Sequence, residues 1–472
     1  MAYTYDSGTY GKGHLTQVSD GTGNTQWTYD QYGRVTQRAQ TVGSVTLTNS
    51  YAYSSTTRYL TTLTYPSTKT SGFTYDSQGN ISKVTFNANN MASSVTWMPF
   101  GPAKSWTEYN GKSFTRTFDQ DYRITSLALG TLNTQSLTWD NAGRLTALTE
   151  TGLSNKSYGY DSVDRLTGIT IGTASPTSYA YDADGNRTST TDPSSNVTTY
   201  NYPGGNNKLS SLSGYVAKSF TYDSNGNMTA DGTNTWTYDQ RGRMSSDTVG
   251  GVTTNYSVND IGLRVKKAGS TTTLYAYDEA GHTIGEYTST GTPVMETAFM
   301  GDLPVGVLNT VSGTTKNYVM TPDWIGAPHI LTNVSATYAW TWDHLAWGDN
   351  APNQNPGGLG TFAYDWRFPG QSYDTESGTA YNINRDYSST LGRYVESDPI
   401  GLDGGDYSTY GYVRSNPLIT TDRRGLGIDI NDPRGYESVP SWIDGYSTPC
   451  PLEETTFKCN NRIIPNGATI IV

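Results

Sequence analysis

Apolar and polar residues alternate along this chain in short runs, and the runs recur at an almost constant interval. Phe73-Thr74-Tyr75 is one such run. Every second side chain falls on one side of the backbone, the periodicity of a half-buried strand. Runs close on a Tyr-Asp pair, pass through Gly and resume alternation, as in FTYDSNGNMT (Phe220 to Thr229) and LTWDNAGRLT (Leu137 to Thr146). The aromatic-Asp pairs Phe118-Asp119, Trp139-Asp140, Tyr160-Asp161 and Tyr181-Asp182 follow one another in steps of 21 residues. Further copies are Tyr5-Asp6, Tyr29-Asp30, Tyr75-Asp76, Tyr222-Asp223, Tyr238-Asp239 and Tyr277-Asp278. Degenerate copies stand at Tyr53-Ser54, Trp97-Met98, Tyr202-Pro203 and Asn259-Asp260. A fixed period of this length predicts a repeat architecture, in which each unit buries its apolar face by stacking on its neighbours.

One unit reads as strand, tight turn, strand. The Asp side chain can accept hydrogen bonds from amides of the turn, and Gly supplies positive φ. The repeat aspartates are therefore read as structural, and none is a catalytic candidate. No long stretch carries a 3.6-residue period free of Gly and β-branched residues, so the fold class is all-β. Composition sharpens this picture. With 51 Gly, 37 Tyr and only 34% hydrophobic residues, the interior is expected to be polar and aromatic rather than aliphatic.

Other function classes are disfavoured. No run of about 18 apolar residues is present, so no transmembrane segment is predicted. The N-terminal MAYTYDSGTYG lacks the basic and apolar regions of a signal peptide and starts inside a repeat. A net charge of −11 argues against nucleic-acid binding by the repeats. His14, His282, His329 and His344 show no ligand spacing, so no metal or other cofactor is expected and each His is read as an ordinary surface or sheet residue.

From about Tyr318 the rhythm changes. The motifs that follow include Asp323-Trp324-Ile325-Gly326, Phe368-Pro369-Gly370-Gln371, Arg385-Asp386-Tyr387, Leu391-Gly392-Arg393-Tyr394, Ser397-Asp398-Pro399-Ile400-Gly401-Leu402, Asn416-Pro417 and Asp422-Arg423-Arg424-Gly425-Leu426. In this order they resemble the Rhs-associated core domain of bacterial Rhs/YD-repeat proteins. Insect toxin-complex C subunits, wall-associated proteins and teneurins share the repeats. The resemblance covers about residues 1–426.

It implies three domains: a YD-repeat β-hairpin ribbon spiralling into a hollow shell (1–317), the core domain that closes one end (318–426), and a variable C-terminal tail (427–472). It further implies self-cleavage after the Leu of a Pro-x4-Asp-Pro-x-Gly-Leu motif. Pro417, Asp422, Gly425 and Leu426 match that motif, Arg423 replaces its second Pro, and the scissile bond is Leu426–Gly427. The family's proposed protease is of aspartyl type, matching Asp386 and Asp398, with Arg385 positioning a carboxylate or holding the Leu426 carbonyl. Two carboxylates sharing a proton can divide the roles of base and acid. The structural alternative stays open: Asp398-Pro399 starts a turn and Arg385-Asp386 is a strand-edge pair.

The function so implied is an encapsulating carrier of a C-terminal effector in bacterial competition or toxin delivery. It would be an autoprotease at most, secreted or delivered by a specialised system. Its partners would be its own tail inside the shell, secretion-apparatus or toxin-complex subunits and an immunity protein. The alternative is a non-enzymatic YD-repeat surface protein for adhesion or carbohydrate binding. The tail has no His, which argues against His-dependent nuclease chemistry. Cys450 and Cys459 are read either as a disulfide or as buried thiols.

Overall fold

Within one repeat, local chemistry fixes the turn. At Asp161, Oδ1 accepts hydrogen bonds from the amides of Val163 (3.0 Å) and Arg165 (2.9 Å), and Oδ2 accepts one from Arg165 Nε at 2.7 Å. Asp140 and Asp119 repeat this arrangement with Arg144 and Arg123. Gly143 takes the left-handed conformation the turn requires, at φ 81°. The aromatic residue before the Asp sits at a register shift, as between Thr138 and Trp139, a bulge that re-aims its ring.

That ring ties one repeat to the last. Tyr160 Oη donates to Leu145 O at 2.7 Å, Tyr181 Oη to Leu166 O at 2.6 Å, and Trp139 Nε1 to Ile124 O at 2.7 Å. The turn arginine closes the link from the other side. Arg123 Nη1 donates to Asp140 O at 3.0 Å, and the Arg144 guanidinium lies 5.4 Å from the centre of the Tyr160 ring. Each Tyr-Asp pair is thus a joint between neighbours as well as a turn.

The computed structural model describes residues 1–99 and 101–428, the backbone of 429–430 and, in the remaining tail, the strands Phe457–Cys459 and Arg462–Ile464. The chain divides into two compact units, Met1–Tyr436 and Glu437–Val472. In the first unit, every strand of a 21-stranded sheet and of a 13-stranded sheet pairs antiparallel with the next strand in sequence. The first sheet runs from Ala2–Tyr5 to Lys218–Ser219, and the second from Thr221–Tyr222 to Tyr338–Thr341. The expected boundary at 317/318 falls inside the strand Thr314–Pro322. A separate four-stranded sheet carries the later motifs: Ser372–Asp374, Thr379–Asn382, Arg385–Ser388 and Arg393–Tyr394. Among the described residues there is no α-helix, and only short 3-10 turns interrupt the strands.

The inner faces of the two large sheets meet. Arg38 Nη1 donates to Asp278 O at 3.0 Å, Gln40 Nε2 to Tyr275 O at 3.0 Å, and Tyr65 Oη to Thr297 O at 2.9 Å. Gly306 lies so close to Met91 that a Cβ there would come within 2.7 Å of Met91 Cγ. Between the sheets, aliphatic and aromatic side chains pack together. Leu127, Leu129, Leu145, Leu148, Leu166, Val84, Val305 and Val307 are all buried in one continuous cluster with Trp340, Trp342 and Trp347. The few aliphatics of the chain are concentrated on a single face, so a low average content still builds a core.

Buried polar groups then staple opposed strands across it. His329 lies between Trp342 O, 2.9 Å from Nδ1, and Glu150 Oε1, 2.6 Å from Nε2. His344 Nε2 lies 2.6 Å from Asp323 Oδ2, and His282 bridges Asp278 and Asp302. Three of the four histidines thus pair with acids, and His329 and His344 are buried rather than on the surface.

Candidate functional site

Three Asp-x-x-Gly segments of the later region fold like repeat turns. Asp323 Oδ1 accepts from the amides of Ile325 and Ala327, and Asp422 Oδ1 from those of Arg424 (3.3 Å) and Leu426 (3.1 Å). Asp398 Oδ1 accepts from Ile400 N at 3.0 Å, and Gly401 N donates to Asp398 O at 3.0 Å. Gly425 holds φ at 63°, and a Cβ there would lie 2.6 Å from Asn382 O, so only glycine fits. The expected scissile residue Leu426 therefore occupies the position that arginine fills after a repeat turn. The strand Thr420–Thr421 pairs antiparallel with Asp429–Ile430. The Leu426–Gly427 bond lies in the loop of that hairpin.

The loop is held from beneath by the strands Thr379–Asn382 and Arg385–Ser388. Asn382 Nδ2 donates to Asp422 O at 2.7 Å, and Asn384 Nδ2 to Arg424 O at 2.9 Å. Arg385 is the centre of the arrangement. Its Nε donates to Gly425 O at 2.7 Å and its Nη1 to Thr409 O at 3.2 Å. Its Nη2 pairs with Asp398 Oδ2 at 2.9 Å and Asp422 Oδ2 at 3.1 Å. The guanidinium stacks 3.7 Å from the centre of the Tyr394 ring, whose Oη donates to Asp422 Oδ2. Arg385 therefore holds the carbonyl one residue before the expected Leu426 carbonyl. Arg423 is ion-paired with Asp302, so the residue replacing the motif's proline anchors the loop to the repeat sheet by charge. Pro417 is buried beside Leu418, whose carbonyl accepts from Trp324 Nε1 at 2.7 Å.

Asp386 and Asp398 have different partners. Successive strand residues point to opposite faces, so Asp386 turns away from Arg385. Its Oδ1 pairs with Arg264 Nη2 at 3.1 Å, and its amide donates to Glu396 Oε2 at 2.7 Å. Burial pushes Asp386 up to about 7, with Arg264 opposing and Asp374 adding to the rise. Glu396 is also raised well above its ordinary value, by burial and then by Asp386. The neighbouring buried acids are thus Asp386 and Glu396. The sequence reading missed Glu396; it falls between the Leu391–Tyr394 and Ser397–Leu402 motifs, and no motif signal marks it. Asp398 stands on the Arg385 side, raised by burial against the lowering effect of Arg385.

One close approach links Asp398 to the expected scissile bond. A Cβ built on Gly404 would lie 2.5 Å from Asp398 Oδ2 and 3.0 Å from Leu426 O. The two oxygens are therefore no more than about 5.5 Å apart, the sum of those distances. Gly427 also packs on this residue, with its would-be Cβ 3.4 Å from Gly404 O. The expectations for the tail, including the Cys450–Cys459 pairing and a tail enclosed in a shell, fall outside the described residues.

Comparison with known proteins finds several similar chains. A family model described as "Teneurin YD-shell" matches residues 99–202 and 172–295. The uncharacterised protein YibJ of Escherichia coli (strain K12) is 37% identical over 145 residues, covering 28% of this chain and 60% of YibJ. The toxin protein Tse5 of Pseudomonas aeruginosa (strain PAO1) is 36% identical over 108 residues, 23% of this chain and 8% of Tse5. The chain therefore spans about 60% of YibJ and a small part of Tse5. Among solved structures, the crystal structure of TcdB2-TccC3-TEV superposes with a TM-score of 0.71 at 15% identity, covering 90% of this chain and 25% of that one. That likeness is one of fold. With turn chemistry, strand order and later motifs all following one pattern, the chain is similar to Rhs/YD-repeat proteins, carries a YD-shell match over residues 99–295, and shares the fold of the TcdB2-TccC3-TEV structure.

Proposed function

We propose that this chain is the shell and core of an encapsulating carrier that releases its C-terminal segment by cutting itself between Leu426 and Gly427. In this reading residues 1–317 form the shell, 318–426 the core domain and 427–472 the cargo. The supporting observation is the convergence of the Asp398 carboxylate and the Leu426 carbonyl on Gly404, with Arg385 bonded to both Asp398 and Gly425 O. Relatives named as toxins, such as Tse5, suggest an effector as the cargo. Delivery outside the producing cell, toxin-complex or secretion partners and an immunity protein follow as parts of the same reading.

The chemistry is hydrolysis. Asp398 takes a proton from water as the water oxygen attacks the Leu426 carbonyl carbon. The C–N bond to Gly427 then breaks, the nitrogen receives that proton, the second water proton follows it as the new acid ionises, and the products are a Leu426 carboxylate and a Gly427 ammonium. Arg385 fixes the loop and holds the Asp398 carboxylate in place, while Asp386 positions Arg264 and the strand from its other face.

The full chain, purified and run under denaturing conditions, is expected to yield a C-terminal fragment whose sequence begins Gly427-Ile428-Asp429. Asp398→Asn is expected to accumulate uncut. An intact wild-type chain after prolonged incubation, or equal cutting of Asp398→Asn, would overturn the reading.

A further inference from the structure

Gly404 stands where two functional atoms come together, and backbone conformation does not explain it. Its neighbour Gly405 has a φ of 87°, a conformation that favours glycine; Gly404 is not among the residues of positive φ. Alanine would therefore meet no backbone strain at this position. What alanine would meet is Asp398 Oδ2 at 2.5 Å and Leu426 O at 3.0 Å. Real Cβ atoms do not come that near, so one of the two oxygens would have to move.

Neither oxygen is free to do so. Asp398 has a short side chain. Its Oδ1 is held by the amide of Ile400 and its Oδ2 by Arg385 Nη2 at 2.9 Å. The Leu426 backbone is held by its own amide on Asp422 Oδ1 at 3.1 Å and, one residue earlier, by Arg385 Nε on Gly425 O at 2.7 Å. Gly404 itself is buried.

Both oxygens are hydrogen-bond acceptors when Asp398 is ionised, so they have no reason to approach each other directly. A separation of at most about 5.5 Å lets a single water lie within ordinary hydrogen-bond distance of both, since O–H···O contacts run at about 2.7–2.8 Å. A water there has two acceptors for its two protons. It also borders the carbonyl it would attack.

We propose that the missing side chain of Gly404 forms the seat of the hydrolytic water, making Gly404 a specificity-determining position: it admits water between Asp398 and the Leu426 carbonyl and excludes any larger occupant. This rests on the self-cleavage reading above. The seat delivers the water oxygen to the new Leu426 carboxylate and both water protons, the first through Asp398, to the new Gly427 ammonium, and consumes no other reactant.

The test compares the wild type with Gly404→Ala, following the fragment beginning at Gly427 by mass spectrometry, with circular dichroism and thermal melting as checks on the fold. Wild-type cutting together with a folded Gly404→Ala chain cut at least 100-fold more slowly is the expected result. Wild-type cutting with Gly404→Ala within twofold of it would overturn the water seat and leave self-cleavage standing. No wild-type cutting at all would overturn the cleavage reading itself, and the seat with it. Because Gly404→Ala could fail to fold, a crystal structure of uncut Asp398→Asn provides a second measurement. An ordered water bonded to both the residue 398 side chain and Leu426 O is expected, and a dry contact between the two would overturn the proposal.

Discussion

Asp386 is a buried carboxyl beside a second buried carboxyl, and its surroundings decide which of the two keeps its proton. Arg264 reaches Asp386 Oδ1 at 3.1 Å, whereas Glu396 Oε1 is buried with no hydrogen-bond partner among the described residues. Glu396 is therefore the protonated member at neutral pH. Glu396→Gln reproduces that neutral state and is expected to leave stability and cleavage within a few-fold of the wild type. Asp386→Asn removes the anion facing Arg264 and is expected to cost several kcal/mol, as breaking a buried pair by removing one partner generally does. Urea denaturation of both variants checks this; equal destabilisation by the two would reverse the proton assignment. The sequence marked Asp386, Asp398 and Arg385 by motif. The family resemblance paired the two aspartates, but strand alternation puts Asp386 and Arg385 on opposite faces. Arg385 goes with Asp398, and Asp386 with Glu396.

At the scale of the element, a repeat is held by one carboxylate that serves three donors. Asp161→Ala would remove the bonds to Val163 N, Arg165 N and Arg165 Nε together. The site is partly solvated, so a loss of about 1–2 kcal/mol is expected rather than the sum of three isolated bonds. In a repeat ribbon, each unit contacts chiefly its neighbours. Hydrogen exchange should therefore quicken in the strands Lys156–Tyr160 and Leu166–Ile171 and the strands beside them, with distant repeats unchanged. Uniform loss of protection across the ribbon would contradict a locally stapled architecture. The hairpins themselves were legible, because alternation, Asp and Gly act within ten residues of one another. The scissile loop was legible as a motif, yet its likeness to a repeat turn emerges only when the Asp422 hydrogen bonds are seen.

Across the whole first unit, buried acids link stability to pH in both directions. Glu108 is buried between Thr321 Oγ1 (2.8 Å) and Asn110 Nδ2 (2.9 Å), and burial pushes it up to about 8 from 4.5. The folded state thus holds this proton more tightly than the unfolded chain. The corresponding stability is complete below about pH 4.5 and is lost as pH rises through about 8. Glu150 works the other way. Despite burial, His329 beside it lowers it to about 2, so its contribution is present above about pH 4.5 and lost as pH falls through about 2. Glu108→Gln is neutral at every pH. It is expected to flatten the fall in melting temperature between pH 5 and 8 and to melt a few degrees above the wild type at pH 8. A melting profile parallel to the wild type across that range would show that Glu108 does not carry the effect.

The repeat, the strand-turn-strand unit, the all-β class and the later motifs are written in local patterns along the chain, because they follow from interactions between residues close in the chain. What lies across from what is set by long-range packing. The aliphatics were too few, counted along the chain, to predict a core, and they build one because two large sheets bring their inner faces together. The pairing of His329 with Glu150 spans 179 positions, and that of Asp386 with Arg264 spans 122; no local pattern records either. Gly404 is the clearest case. In the sequence it is the first of two adjacent glycines in a turn, and only the folded chain shows Asp398 and Leu426 meeting where its side chain would be.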